Sequence, residues 1–290
     1  MDAKIKSAKS AWVGPRISLE TGRVDKIPYL ALIPEHTEPC PVVFSVPGYG
    51  GNKVWNLSLH YRLAQRGLAC ISFDPLYHGE RGDPRLEQAA DPAYGGIYPP
   101  ETGMDIYFLF LQVIRQCGLD LRTLLDHFGK DPRLDTQRAG VTGHSMGAYA
   151  SFLALAELPA LRAAVPMMGI PTFARRWQDL LDECALSNSA WAAALRQVEP
   201  QTAQRTAFVE QIDPAYALRE VAPRALLVMN GDFDSDQPKH YVLEWLREVR
   251  ETYAGCPDRL QWKIYPVGHV ITPEMEQDTV EWFVQHLADD

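Results

Sequence analysis

The sequence predicts an α/β protein with a mostly parallel twisted sheet, helices on both faces and a helical cap insertion. Two observations predict this class. Short apolar runs alternate with helical patterns along most of the 290 residues, an order typical of parallel sheets covered by helices. Several runs are also continuously apolar, as expected of strands that are buried on both faces. Because ligands of such sheets bind beyond the carboxyl ends of the strands, function is expected in the loops that follow them.

The individual elements follow from apolar runs bounded by Pro and Gly and from helical periodicity. Strands are predicted at 27–33, 41–46, 68–73, 138–142, 162–168, 224–230 and 259–265. Helices are predicted at 53–66, 103–128, 146–157, 238–253 and 273–287, and a loop rich in Gly, Pro and Asp at 75–101. The stretch 170–222 carries helical patterns, at 177–184 and 190–198, but no strand. It is interpreted as a cap inserted between two core strands of a single domain, residues 1–290.

Composition narrows the class of partner and the compartment. Asp and Glu number 37 against 28 Lys and Arg, which gives a net charge of −9. An acidic surface repels phosphate backbones and anionic lipids, so neither nucleic acid nor a membrane is an expected partner. The polar N-terminus, with no apolar segment after it, predicts no signal peptide. The five scattered cysteines are expected to be reduced and mostly buried. We therefore expect a cytoplasmic protein that acts on a small molecule, with a homodimer left open.

The strongest motif is Gly143-His144-Ser145-Met146-Gly147, a G-x-S-x-G pattern between a predicted strand and an Ala- and Leu-rich helix. A serine on such a sharp turn projects its hydroxyl above the sheet, and the crowded turn requires glycine two residues to either side. The backbone N–H of Met146, at the start of the helix, can stabilise an oxyanion. The alternative is a Gly-rich turn with a capping serine. The strand and helix context favours Ser145 as a nucleophile.

The residues that would activate such a serine follow later strands. The loop after 224–230 contains Asp232, Asp234 and Asp236. We favour Asp234 as the acid, since it lies far enough from the strand end to reach a histidine, and keep the other two as second choices. The base is expected after the last strand, where His269 stands. The loop after 162–168 contains no Asp or Glu before residue 179, so the main rival position for the acid is empty.

Further candidates lie in the two loops after 41–46 and 68–73. The Gly-rich turn Pro47–Lys53 predicts Tyr49 as a second oxyanion donor through its backbone N–H. In the segment Asp74–Gly82, Glu80 and Arg81 are expected to form ion pairs, and His78 is a candidate for substrate contact. His78 and Glu80 alone are too few ligands for a metal, so no metal site is predicted.

Two tryptophans of the predicted cap, Trp177 and Trp191, are candidate substrate contacts. Most apolar side chains of this stretch are expected to pack between helices, and a few to line an apolar acyl pocket. A preference for esters with short or medium acyl chains is the resulting expectation.

With these residues in this order, the sequence resembles the α/β-hydrolase superfamily, in particular the dienelactone-hydrolase and prolyl-oligopeptidase-like bacterial esterases. The segment with His-Gly-Glu-Arg-Gly at 78–82 resembles the same group. Two positions depart from the pattern: Pro47 stands where a histidine is common, and Ala148 where many members have a third glycine. A dienelactone hydrolase proper would carry a cysteine nucleophile, so Ser145 points to a serine esterase.

The resemblance implies a carboxylesterase that works through an acyl-enzyme and requires no cofactor. The pattern leaves open a thioesterase or acyltransferase, and a small peptidase or amidase of the same fold. A non-catalytic ligand-binding protein on this scaffold is the alternative of another class. Its mark would be a missing member of the set Ser145, Asp234 and His269, and the sequence retains all three.

Overall fold

The computed structural model describes residues 15–82, 100–186 and 199–288, with side chains given for 15–82, 108–182 and 202–288. Eight strands form one sheet: β1 (Ile17–Val24), β2 (Ile27–Pro34), β3 (Cys40–Val46), β4 (Ala69–Phe73), β5 (Leu134–His144), β6 (Leu161–Met167), β7 (Ala225–Gly231) and β8 (Leu260–Tyr265). Seven α-helices are described: α1 (Leu57–Gln65), α2 (Pro100–Phe128), α3 (Met146–Glu157), α4 (Phe173–Leu186), α5 (Glu199–Ile212), α6 (His240–Val249) and α7 (Pro273–Leu287).

The strand order is β1-β2-β4-β3-β5-β6-β7-β8. All pairs from β4 to β8 across the sheet are parallel, while β1 pairs with β2 and β2 with β4 in antiparallel fashion. The predicted class, a mostly parallel sheet with helices, is therefore confirmed. The sequence reading missed β1, and it placed the start of α1 four residues too early, because 53–56 form turns.

Both faces of the sheet are buried, as the continuous apolar runs predicted. In β7, Leu226 and Val228 join the core that contains α2 and α3, whereas Leu227 and Met229 join the core that contains α1 and α7. Alternate residues of one strand thus serve two cores, because successive side chains of a strand point to opposite faces. Because β3 to β8 run parallel, their carboxyl ends lie together at one end of the sheet, where a site is expected.

The segment between β6 and β7 is helical in its described part and contains α4, α5 and a 3₁₀ turn at Ala217–Glu220. Its residues Phe173, Trp177, Val209 and Ile212 are buried in the same core as α2 and α3, so its helices pack onto the sheet domain. The helical pattern predicted at 190–198 lies outside the described residues. In the part of the chain that the structure describes, no helix is both long and apolar enough to cross a bilayer.

Candidate active site

Ser145 stands alone between the end of β5 and the start of α3, with φ 55° and ψ −115°. A non-glycine residue with positive φ is strained, and such strain is characteristic of functional turns. The neighbouring glycines make the turn sterically feasible. A Cβ on Gly147 would lie 2.0 Å from the carbonyl oxygen of Val46, and a Cβ on Gly143 would lie 2.4 Å from the backbone of Gly147. The sequence therefore needs glycine at both positions for the turn to close.

Backbone hydrogen bonds hold the strained serine in place. The N–H of Ser145 donates to the carbonyl of Met167 at 2.9 Å, and its own carbonyl accepts from the N–H groups of Ala148 and Tyr149. The N–H of Met146 lies in the first turn of α3, where N–H groups have no intrahelical acceptor and the helix dipole is positive. This end of the helix is suited to stabilising a negative oxygen.

Asp234 and His269 contact each other across two loops, the β7 loop (residues 232–238) and the β8 loop (residues 266–270). His269 Nδ1 donates to Asp234 Oδ2 at 2.8 Å, and Asp234 Oδ1 accepts the N–H groups of Asp236 and Gln237. The Asp234 side chain is 0% exposed and that of His269 23%. Because Nδ1 carries the proton, Nε2 of the neutral ring keeps a lone pair that can accept one.

The two rival carboxylates have other roles. Asp232 pairs with Lys239, and Asp236 contributes its backbone N–H to Asp234. Among the described residues, Asp234, Asp236 and His269 bring ligand atoms within 4.8 Å of one another, a spacing that a cation could bridge. Both oxygens of Asp234 already accept hydrogen bonds within the protein. The cluster therefore fits a carboxylate–imidazole pair better than a metal site.

Backbone contacts join the β7 loop to the β8 loop. The N–H of Asp232 donates to the carbonyl of Tyr265 at 2.7 Å, and that of Phe233 to Val267 at 3.0 Å. Their approach is so close that a Cβ on Gly231 would lie 2.6 Å from two carbonyl oxygens of the β8 loop. The acid and the histidine are therefore positioned by the main chain.

His144 connects Ser145 to this pair. Its ring centroid lies 4.8 Å from that of His269, with an angle of 39° between the ring planes. Burial, reinforced by the nearby His269, lowers the pKa of His144 to about 4. Its Nε2 is buried without a hydrogen-bond partner among the described residues. A neutral ring of His144 therefore packs against His269 at neutral pH.

The β3 turn, residues 47–53, lies against the serine. A Cβ on Gly48 would lie 3.7 Å from the Cβ of Ser145 and 3.3 Å from the carbonyl oxygen of His144. The N–H of Gly51 donates to the carbonyl of Gly48 at 3.0 Å, and Gly50 has a φ of 78°. The backbone around Tyr49 is thus folded tightly beside Ser145, where the sequence predicts an oxyanion donor.

The β4 loop, residues 74–82, packs beside the β3 turn. His78 is 6% exposed, its Nδ1 donates to the carbonyl of Leu76 at 2.8 Å, and its ring lies edge-on to that of Tyr49 at 5.3 Å. Burial lowers the pKa of His78. As predicted, the two charged neighbours form ion pairs: Glu80 with Lys53 and Arg23, and Arg81 with Asp120. His78 is therefore near the candidate oxyanion turn, as a neutral side chain.

The structure gives Trp177 a packing role instead of a surface for substrate. It is 1% exposed, and its indole N–H donates to Thr206 Oγ1 at 2.8 Å. An aromatic residue on an amphipathic helix is compatible with either role, so the sequence pattern alone does not distinguish them. Trp191 lies outside the described residues.

Sequence reasoning missed Asp74 and Lys53, which form the centre of the contacts between the β3 turn and the β4 loop. It also missed Gln237, whose N–H holds Asp234 and whose side chain accepts from the hydroxyl of Tyr149. One signal was available for Asp74: it is the first residue after a buried parallel strand, where functional groups concentrate.

Comparison with known proteins agrees with the fold. The model of the prolyl oligopeptidase family matches residues 115–290. The candidate esterase YitV of Bacillus subtilis is 26% identical over 278 residues, which make up 93% of this chain and 100% of that protein. Esterase YjfP of Escherichia coli is 26% identical over 277 residues, with the same coverage of 93% and 100%. The solved structure of TT1662 from Thermus thermophilus has a TM-score of 0.66 at 21% identity and covers 95% of this chain and 100% of that one.

The fold and these similarities define a serine hydrolase with the α/β-hydrolase fold, as the resemblance in the sequence implied. The match to the family model extends over more than half of the residues. The chain therefore belongs to the prolyl oligopeptidase family.

Proposed function

We propose that this protein is a carboxylesterase in which Ser145 is the nucleophile, His269 the general base and Asp234 the acid. The observation that carries the proposal is the hydrogen bond of 2.8 Å between His269 and the fully buried Asp234 side chain. It fixes the tautomer that a base needs, in the loop after the last strand, next to the turn that holds Ser145. The esterase names of YitV and YjfP support ester over amide substrates.

The first half of the reaction makes an acyl-enzyme. His269 Nε2 takes the proton of the Ser145 hydroxyl as its oxygen bonds to the ester carbonyl carbon. The N–H groups of Tyr49 and Met146 are the proposed donors to the resulting oxyanion. The tetrahedral intermediate then loses the alcohol, which leaves with the proton that His269 had taken.

The second half releases the acid. Water loses a proton to His269 Nε2 while its oxygen attacks the acyl carbon, and the intermediate collapses to free Ser145 and a carboxylic acid. Asp234 remains ionised and orients the imidazolium throughout. No cofactor enters either half. The substrate we propose is a small ester with a short or medium acyl chain, which His78 contacts beside Tyr49.

A fluorophosphonate probe tests the nucleophile. We expect stoichiometric labelling of the wild-type protein and none of Ser145→Ala, with Ser151→Ala as a matched control. Ser151 lies in α3, six residues after Ser145, buried and bonded to the carbonyl of Gly147, and its variant should label like the wild type. An unlabelled wild type would contradict the proposal and favour a non-catalytic binding protein, whereas labelling of Ser145→Ala would show that the nucleophile is another residue.

The substrate class needs a second measurement. Nitrophenyl esters of rising chain length, a matched nitroanilide and an acyl thioester should rank with the short esters first. Faster cleavage of the anilide would indicate a peptidase or amidase. Preferred cleavage of the thioester, or acyl transfer to an added alcohol, would indicate a thioesterase or acyltransferase.

A further inference from the structure

The β4 loop is folded around one buried carboxylate that the proposed mechanism does not use. Asp74 follows β4 directly, and its side chain is 0% exposed. Its N–H donates to the carbonyl of Pro28 on β2 at 3.0 Å, and its carbonyl accepts from Arg81 at 3.0 Å. The backbone of Asp74 is therefore fixed independently of what its carboxylate does.

Three donors meet this carboxylate, and two of them belong to one residue of the β3 turn. Oδ1 accepts the backbone N–H of Lys53 at 2.8 Å, and Oδ2 accepts Lys53 Nζ at 2.8 Å and the N–H of Glu80 at 2.9 Å. A buried carboxylate is costly unless it is paired and hydrogen-bonded, and here the β3 turn supplies most of the partners. Asp74 thus joins the end of the β3 turn to the β4 loop.

The other end of the β3 turn is joined to the same loop. Gly79 has a φ of 52°, and a Cβ there would lie 2.4 Å from Cγ of Asp74, so the loop closes directly onto the carboxylate. This closure places His78, the residue before Gly79, against Tyr49, with 5.3 Å between the two ring centroids. The β3 turn is therefore held at Lys53 by Asp74 and at Tyr49 by the ring of His78.

We infer that Asp74 is a positioning residue that holds the Tyr49 N–H in place for the oxyanion by fixing Lys53 and the His78 ring. The inference rests on the proposed function. The β3 turn contains Gly48, Gly50 and Gly51, and glycines leave a chain free to adopt many conformations. An oxyanion donor is effective only when it is held in place before the charge develops. The anchor at Asp74 supplies this constraint.

Two variants and a matched control test the inference. In Asp74→Asn the new NH₂ must face a donor in either orientation, because both carboxylate oxygens accept. Lys53→Met keeps both backbone donors and removes only the ammonium. The control is Asp135→Asn at the amino end of the central strand β5, where the carboxylate accepts the N–H of Gln137 at 2.9 Å and Arg138 Nε at 2.6 Å.

The measurements are kcat and KM on a nitrophenyl ester, and the Kd of a trifluoromethyl ketone that forms an oxyanion adduct with the serine. All use the full chain, with active sites counted by fluorophosphonate. We expect kcat to fall about 10- to 100-fold in Asp74→Asn and about 3- to 10-fold in Lys53→Met, with KM nearly unchanged. The Kd of the ketone should rise by the same factor as kcat/KM falls. Asp135→Asn should stay within about twofold of the wild type.

A purely structural role would reduce the number of active sites without changing the constants per site. The inference is wrong if both folded variants match Asp135→Asn, or if kcat falls while the affinity for the ketone is unchanged. Should Asp74→Asn fail to fold, Lys53→Met decides alone, since it leaves the buried carboxylate with two donors. A wild type that neither labels nor cleaves esters refutes the proposed function itself. An active wild type whose two variants have the same constants as Asp135→Asn refutes only the role of Asp74.

Discussion

The β7 and β8 loops are joined by backbone, whereas the β3 turn and the β4 loop are joined by charged side chains. In the first pair, the N–H groups of Asp232 and Phe233 reach carbonyls of the next strand and loop, and Gly231 permits their close contact. In the second pair, Asp74, Lys53 and Glu80 make the connection. The candidate acid and base are thus fixed by chain geometry, and the candidate oxyanion donor by electrostatics.

This difference predicts different sensitivities. Backbone hydrogen bonds persist through most side-chain substitutions and are little affected by salt. Salt screens the exposed ion pair between Glu80 of the β4 loop and Arg23. Their side chains are 50% and 52% exposed, and such exposed pairs add little stability. The Asp74 carboxylate, whose side chain is fully buried, is protected from this screening. The contact between the β7 and β8 loops is therefore expected to be insensitive to salt, whereas the exposed ion pairs of the β4 loop are expected to weaken as salt is added.

The largest expected effect comes from Asp234→Asn, which leaves the backbone connection intact and changes only the chemistry. The amide oxygen can still accept the N–H groups of Asp236 and Gln237, and the NH₂ then faces His269 Nδ1. The ring must present its lone pair at Nδ1 and its proton at Nε2, the wrong tautomer for a base. We expect kcat on a nitrophenyl ester to fall about 10⁴-fold with the thermal midpoint nearly unchanged. A fall below about tenfold would contradict the role of Asp234.

Gly231→Ala disrupts the backbone contact between the β7 and β8 loops. Its Cβ would lie 2.6 Å from the carbonyl oxygens of Val267 and Gly268, which side-chain motion cannot relieve. We expect a loss of about 1–3 kcal/mol in the free energy of unfolding, and at least about a tenfold fall in kcat as His269 is displaced.

The control for this variant is Gly255→Ala, since a Cβ on Gly255 meets nothing within 4 Å. Denaturant titration should place it within about 0.5 kcal/mol of the wild type. Equal effects of the two alanines would show that the contact between the β7 and β8 loops adds no constraint.

The smallest expected effect separates two buried histidines, His144 in the candidate site and His60 on α1. His144 packs on His269, and His60 on α1 bonds to Ser45 Oγ of β3 at 2.9 Å. Burial lowers the pKa of each to about 4, from a usual 6.5. The unfolded chain then binds protons more readily, so the stability that each neutral ring contributes is complete above pH 6.5 and is lost as the pH falls toward 4. For His60 the loss is about 2 kcal/mol at pH 5.

Replacing either histidine with glutamine should remove the contribution of that histidine to the pH dependence of the free energy of unfolding. Urea titrations between pH 7 and pH 5 measure this dependence. Only His144→Gln should also lower kcat, by a few-fold, because only that ring packs against the proposed base. If His60→Gln lowers kcat equally, the packing of His144 on His269 has no special role.

The features that were predictable from the sequence depend on a short local pattern or on the order of the strands along the chain. The elbow at Ser145 is contained in five residues and the elements that flank it, and the position of His269 follows from the order of the strands. Gly143 and Gly147 were predictable for the same reason, because the crowding they relieve comes from the turn itself. Such features need no knowledge of which distant segments meet.

The features that were missed depend on tertiary contact. β1 alternates partly exposed residues along the edge of the sheet, a weaker pattern than the apolar runs of central strands. The antiparallel direction of β2 arises from its pairing with β4. Asp74 acquires its contacts from Lys53, 21 residues earlier. Trp177 of α4 bonds to Thr206 of α5, a partner that the helical pattern around Trp177 does not identify. A single sequence offers no signal for any of these pairings.

The strand β8 and its loop carry a consequence for the timing of folding. The β3 turn, the elbow at Ser145 and the β7 loop all precede β8 in the chain, so they leave the ribosome before it does. Until β8 emerges, the chain lacks the proposed base His269, and the β7 loop lacks the carbonyls of Tyr265 and Val267 that hold it. The nascent protein would have Ser145 without the means to activate it. Pairing of the final strand would then act as the switch that makes the enzyme active.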